Sequence, residues 1–223
     1  MVERRRPGRP PTGSEDKRER ILAEAFELFA RGGYNGTSLT DVAQAAGISK
    51  AGLLHHFGSK ERLFSAVLER RDAIDMASME GLDDDVWSFL DRWVALVEHN
   101  AQLPGMVGLY TAMAVSGVDA GHPAHPWLHN HFLRTVGQTA ELFENGKAAG
   151  VVAPDAPAHE LARTIVAVSD GIQIQWLCAL ADTVASGGEA GAKPLHAEKP
   201  FDMVTQMRLV IDMVKARWAL PAE

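Results

Sequence analysis

The sequence predicts an all-α protein built as a short N-terminal set of three helices followed by a larger C-terminal helical body. Three observations carry this. Apolar residues recur at three- and four-residue spacing wherever they are patterned, and no stretch alternates with the period of two that a half-buried strand requires. Glycines and prolines punctuate the periodic segments, as at Gly32-Gly33, Gly47, Gly58 and Leu103-Pro104-Gly105. The charge also divides along the chain: residues 1–62 carry 11 basic and 8 acidic side chains, net +3, whereas 63–223 carry 11 and 21, net −10, within an overall −7. Only the N-terminal part is therefore suited to meet a polyanion.

The elements follow in order. Residues 1–14, with three prolines, two glycines and no apolar periodicity, are expected to be a flexible basic arm. Ile21, Leu22, Ala25, Phe26, Leu28 and Phe29 then share one helix face up to Gly32-Gly33. Ser38-Leu39-Thr40-Asp41 has the Ser-x-x-acid form of a capping box and opens a short second helix with Val42, Ala43 and Ala46 behind it. The segment Ile48 to Phe57 is too short to stand alone, but Ile48, Leu53 and Phe57 can pin it to its neighbours. Ser59 is a good N-cap for a fourth helix bearing Leu63, Phe64, Val67 and Leu68, which runs on through Ile74 and Met76. Residues 15–62 are thus expected to pack around Phe26, Phe29, Leu39, Val42, Ile48, Leu53 and Phe57, with 63–223 forming the helical body. There, Asp83-Asp84-Asp85 places negative charge at a helix start, followed by Trp87, Leu90, Val94 and Val97 on one face. Further helices are expected at about 106–117, 127–148, 158–184 and 201–219.

Composition excludes several classes. The longest run of apolar side chains, Trp176–Ala181, is far short of the roughly 18 residues of a membrane-spanning helix, so none is expected. Pro-Gly-Arg-Pro-Pro follows Arg4-Arg5-Arg6 where a secretory leader would turn apolar, which points to the cytoplasm. Cys178 has no partner for an internal disulfide and is expected to be a buried thiol. Gly-x-Ser-x-Gly, Gly-rich phosphate loops and His-Glu-x-x-His are all missing, so neither an enzyme nor a cofactor is expected.

Two short helices joined by a tight Gly-containing turn, the second polar on its outer face, form a helix-turn-helix. The run Gly33-Tyr34-x-x-Thr37-Ser38-Leu39-Thr40-x-Val42-Ala43-x-x-Ala46-Gly47-Ile48-Ser49-Lys50-Ala51-x-Leu53-Leu54-His55-His56-Phe57-x-Ser59-Lys60-Glu61-x-Leu63 is similar, almost position by position, to the DNA-binding domain of TetR/AcrR-type transcriptional regulators. The resemblance covers about 15–68. It implies a homodimeric repressor whose N-terminal helices bind a pseudo-palindromic double-stranded operator. Its helical body would bind a small, largely apolar inducer and dimerise through the last two helices. A DNA-binding regulator with no small ligand, partner-gated or architectural, is the alternative.

The same resemblance implies residue roles. Ser38 and Thr40 would reach backbone phosphates. Lys50, Ala51 and Gly52 would face base edges in the major groove, with Lys50 the long donor suited to guanine O6/N7. His55 and His56 would approach phosphate or base edges, and Lys60 would clamp a phosphate. The family often has Tyr, serving the DNA backbone, where this chain has Leu54, which offers only apolar contact. In the arm, Arg4-Arg5-Arg6-Pro7-Gly8-Arg9-Pro10 resembles the core of minor-groove AT-hook segments. A solvated tail giving only non-specific attraction is the other reading.

In the body, Val204, Met207, Ile211, Val214 and Trp218 form one stripe of the last helix, and Met203, Val210 and Met213 a second. The helix before it carries Leu161, Ile165, Val168, Ile172 and Trp176 beside Ser169, Gln173, Leu177 and Leu180. One stripe of each suits the subunit core and the other a partner subunit. Aromatic and Met residues suit an adaptable apolar pocket, with Trp93, Met106, Tyr110, Met113, His131, Gln173 and Trp176 as candidate ligand contacts. His125 and His129 have a metal-ligand spacing, but Pro123 and Pro126 interrupt the segment and no acidic pair or cysteine completes a site, so no metal is expected.

Overall fold

Helix-forming periodicity and strong caps set the elements, which the structure, a computed structural model of the chain, describes for residues 12–79, 85–122, 124–185 and 201–221. The arm residues Arg4, Arg5, Arg6 and Arg9 lie outside the described residues, as do Pro123, Asp83 and Asp84. The helices are α1 (Thr12–Gly36), α2 (Leu39–Ala45), α3 (Lys50–Phe57), α4 (Lys60–Met79), α5 (Val86–Ala101), α6 (Pro104–Ser116), α7 (His125–Ala148), α8 (Ala158–Ala185) and α9 (Met203–Trp218). Among the described residues the only β-pairing is an isolated antiparallel bridge between Val152 and Ala219. The chain divides into two units, Met1–Arg70 and Arg71–Glu223, with the boundary inside α4 rather than after residue 62.

In the first unit α1 already begins at Thr12, within the stretch expected as arm. Its regular course stops at Gly33 (φ 68°, ψ 175°), where the sequence places the stop, and one further turn follows. Thr37 closes this corner, its hydroxyl lying 3.0 Å from the carbonyls of both Leu28 and Gly33. The core is made of Ile21, Leu22, Ala25, Phe29, Val42, Ala43, Leu53, Phe57, Leu63 and Phe64. Phe29 and Phe64 meet edge to face at 4.9 Å between ring centroids, and Tyr34 packs on Phe64 at the same distance. Phe26, Leu39 and Ile48, expected in the core, are only half-buried, and Ile74 is exposed.

In the second unit Asp85 caps α5, accepting from the N–H groups of Trp87 (2.7 Å) and Ser88 (3.2 Å). Asp202 caps α9 in the same manner. α7 packs on α8, and α9 packs on both α5 and α8. Their inward faces form one apolar core that includes Trp87, Leu90, Val94, Phe143, Ile165, Ile172, Met203, Met207 and Ile211. Met203 therefore belongs to the buried stripe of α9 rather than beside Met213, because positions 203, 207 and 211 recur every four residues on one face.

Two composition-based expectations are corrected here. Cys178 is exposed, since it lies on the side of α8 turned from the core. Ala158–Ala181 of α8 is by length and composition long and apolar enough to cross a membrane, which a count of consecutive apolar side chains overlooked. Only part of this apolarity is core: Ile165, Val166 and Ile172 enter the core of the second unit, Ser169, Asp170 and Gln173 line a cavity, and Ile174 and Cys178 are exposed.

Candidate functional site

The turn between α2 and α3 is the local feature that exposes the first site. Gly47 takes φ 64°, a region an L side chain adopts only with strain, and the N–H of Ile48 returns to the carbonyl of Ala43 at 2.9 Å. Ser49 then caps α3 by accepting from the Gly52 N–H at 3.0 Å. Leu53 and Phe57 are buried, which leaves Lys50, Ala51, Leu54, His55 and His56 exposed and Gly52 half-buried at the helix start. An eight-residue helix has little stability of its own, so these two anchors free its outer face for contact.

Ser38 is engaged in the capping box that the sequence indicates, and Lys60 in a ring contact that it does not. The Ser38 hydroxyl donates to Asp41 (2.7 Å) and accepts from the Asp41 N–H (3.2 Å), while the Ser38 N–H donates to the same carboxylate (3.0 Å). The Ser38 hydroxyl and then its N–H hold the Asp41 carboxyl below its usual range. The proton expected for a phosphate is thus engaged in capping, and a carboxylate lies beside it; Thr40 stands exposed nearby. The Lys60 ammonium sits 4.3 Å from the centroid of the Tyr34 ring, whose hydroxyl donates to Glu61 at 3.0 Å. Burial, and then the bond to Glu61, pushes the Tyr34 phenol up to about 12. A cation–π contact of this kind orients Lys60 without neutralising it.

The second unit contains a partly open cavity of about 100 Å³ lined from α4, α5, α6, α7 and α8. Trp93, Tyr110, His131 and Gln173 of the expected ligand contacts line it. Met106, Met113 and Trp176 do not; the methionines are buried in α6, and Trp176 packs on the core instead. Sequence reading missed Arg71, Asp72, Asn100, Ser169 and Asp170. Tyr110 donates to Asp170 at 3.0 Å, and its oxygen lies 3.3 Å from Nε2 of His131. Nδ1 of His131 lies 3.2 Å from Asp72, which also accepts from Arg134 at 3.0 Å. Trp93 donates to Ser169 at 3.3 Å, and the Arg71 guanidinium lies 4.9 Å from the Tyr110 ring centroid. A polar chain thus joins α8, α6, α7 and α4 inside an otherwise apolar wall. Burial pushes the Asp170 carboxyl up, outweighing the Tyr110 hydroxyl and the positive charges of His131 and Arg71. Burial, followed by the Asp170 charge, drives the Tyr110 phenol far above its ordinary range.

The histidines near the start of α7 are engaged individually. His125 Nδ1 lies 2.7 Å from the Gly117 carbonyl, and His122 Nδ1 accepts from the Ala124 N–H at 3.2 Å. Among the described residues no group of three or more His, Cys, Asp or Glu is placed to hold a metal ion.

Residues 21–67, which span most of α1 through the start of α4, match the profile of the bacterial regulatory proteins of the tetR family. The first unit carries the DNA-binding domain of the tetR family of bacterial regulatory proteins. A stretch of 69 residues is 39% identical to the transcriptional regulator RutR of Escherichia coli (strain K12), a match covering 31% of this chain and 32% of RutR. The chain thus spans about a third of the length of the first curated relatives it matches. A longer likeness, 27% identical over 185 residues, covers 82% of this chain and 90% of the transcriptional repressor SCO4008 of Streptomyces coelicolor. The fold is shared with a TetR regulator from Chloroflexus aurantiacus (TM-score 0.72, 21% identity, 95% of this chain and 100% of that one). It is also shared with a transcriptional regulator from Saccharomonospora viridis in complex with choline (TM-score 0.69, 22% identity, 93% and 100%).

Proposed function

We propose that this protein is a TetR-family regulator, a cytoplasmic homodimeric repressor that binds a pseudo-palindromic operator through α3 and leaves it when a small molecule occupies the cavity of the second unit. The observation that carries the reading is the outer face of α3: Lys50, Ala51, Leu54, His55 and His56 stand free while Leu53 and Phe57 secure the helix from behind. Lys50 is the long donor of this face for a guanine edge, and Lys60 and the arm arginines add phosphate or minor-groove attraction. Met106, Met113 and Trp176 take no part in the ligand site of this reading.

The cavity supports a ligand-responsive regulator over one without a ligand, since a mainly apolar wall carries polar groups that bond across four helices. Arg71 and Asp72 in its wall belong to α4, which is continuous in sequence with the DNA-binding unit. A ligand that displaces them shifts α4 and moves the recognition helices of the dimer off their spacing of roughly 34–36 Å. A likeness in fold to a regulator holding choline is consistent with this use of the body. The second subunit would pack on α8 and α9, which present Ile174, Leu209 and Met213 to solvent.

A gel shift of the full chain on inverted repeats recovered by random-site selection tests the reading. Specific binding is expected, with Lys50→Ala weakening it roughly 5- to 150-fold through loss of a base contact. Failure to select any inverted repeat would refute it.

A further inference from the structure

The wall of the cavity carries the cations Arg71, His131 and Arg134 beside the carboxylates Asp72 and Asp170, and it also holds two neutral acceptors that nothing in the wall satisfies. Asn100 of α5 and Gln173 of α8 are buried, at 5% and 9% exposure, and line the cavity, yet Asn100 Oδ1 and Gln173 Oε1 have no hydrogen-bond partner. Buried amide oxygens without a donor are costly, and an occupant supplying donors removes that cost. Asp170 lies three residues before Gln173 on the same helix face and accepts from Tyr110. Three cations share the cavity wall with it, Arg71, His131 and Arg134. Arg134 and His131 bond to Asp72, and the charges of His131 and Arg71 fall short of offsetting the burial of Asp170. Around these acceptors stand Phe89 and Trp93, edge to face at 6.0 Å, together with the Tyr110 ring. A void of about 100 Å³ is on the scale of the roughly 150 Å³ cavities that take a benzene ring.

We infer that the cavity takes a compact organic cation whose head carries N–H donors, a primary or secondary ammonium on a ring-sized apolar body, with Asp170 as its counter-ion and Asn100 and Gln173 as neutral acceptors. This rests on reading the cavity as the inducer site. A quaternary ammonium answers the charge and the aromatic wall but leaves both amide oxygens unpaired. A carboxylate answers the arginines of the wall but leaves both amide oxygens unpaired and faces the carboxylates of Asp72 and Asp170.

Calorimetric titration of the full chain with 2-phenylethylamine, its N,N,N-trimethyl analogue and 3-phenylpropionate discriminates among these. The amine is expected to bind about tenfold or more tightly than either of the others. Asp170→Asn is expected to weaken amine binding by about tenfold without weakening the carboxylate, and Gln173→Leu to narrow the gap between the amine and its trimethyl analogue. Circular dichroism confirms that both variants remain helical; for a variant that does not, the wild-type ranking of the three compounds decides. Equal or tighter binding of the trimethyl analogue or the carboxylate overturns the inference, as does no binding of all three at millimolar concentration. A carboxylate that binds and releases operator DNA would sink the cation inference and leave the repressor standing, whereas failure of the gel shift removes the repressor whatever the titrations show.

Discussion

Asp170 shares its helix face with the buried residues Val166 and Gln173, and Tyr110 is the group that donates to it. Burial raises its folded-state pKa above the ordinary value near 3.8, so the folded chain holds the proton more tightly than the unfolded chain does. The stability from this preference is fully present below the unfolded pKa and is lost as pH rises through the folded one. Asp170→Asn keeps an acceptor for Tyr110 and removes the ionisation. Its thermal midpoint is expected to exceed that of the parent chain by a few degrees at about pH 7, with the difference shrinking toward about pH 4. Scanning calorimetry at both values checks this, and a gap independent of pH would mean that ionisation is not the penalty. Leu54 is the opposite case, an apolar side chain 37% exposed on a polar face. Leu54→Tyr adds a hydroxyl at the position where the family often has one, and is expected to tighten operator binding several-fold by gel shift, at roughly 0.5–1.5 kcal/mol for one added hydrogen bond. Signals for the two residues differed in visibility. Leu54 was legible because the motif around it is dense. Asp170 was not, although it and Arg163 are the only charges between Leu161 and Leu180, and a lone acid in an apolar helix is the pattern that marks it.

At the scale of elements, α3 depends on its anchors. Leu53→Ala leaves a cavity under an eight-residue helix and is expected to cost about 2–5 kcal/mol. The loss should be confined to the first unit: hydrogen exchange is expected to accelerate across α1 to α3 while the amides of α5, α7 and α9 keep their protection. Equal acceleration in both units would show that they unfold as one. Helix identity and approximate ends were readable because caps and breakers are local chemistry, as at Ser38 with Asp41, Ser49, Asp85 and Leu103-Pro104-Gly105. Which stripe of a helix lies inward was less readable. Periodicity groups Met203 with Met213, whereas the structure buries it with Met207 and Ile211, because periodicity reports that a face is apolar and not which neighbour or void it meets. Cys178 and the membrane-length apolarity of α8 have the same origin: a helix with apolar residues on several faces can serve a core, a cavity and an outer surface together.

At the scale of the whole molecule, the division of charge and the outward apolar residues point to different partners for different parts of the chain. The net +3 of residues 1–62 suits the operator, and the net −10 of the remainder disfavours contact of the body with phosphates. On the body, Leu209 and Met213 lie one turn apart on α9 and are 53% and 63% exposed, while Ile174 on α8 is 45% exposed. Apolar groups spaced in this way cost nothing to an isolated chain's folding but favour burial against a second copy. Replacing both Leu209 and Met213 by Glu places two charges in the proposed interface without touching the buried Met207 or Ile211. Sedimentation velocity is expected to report a monomer for this double variant and a dimer for the parent chain. Operator affinity should fall by two orders of magnitude or more, because each half-site is then bound without the effective concentration supplied by its twin. Its salt dependence should weaken as well, since about half the phosphate contacts are lost per binding event. A variant that stays dimeric with unchanged affinity would move the interface away from α9.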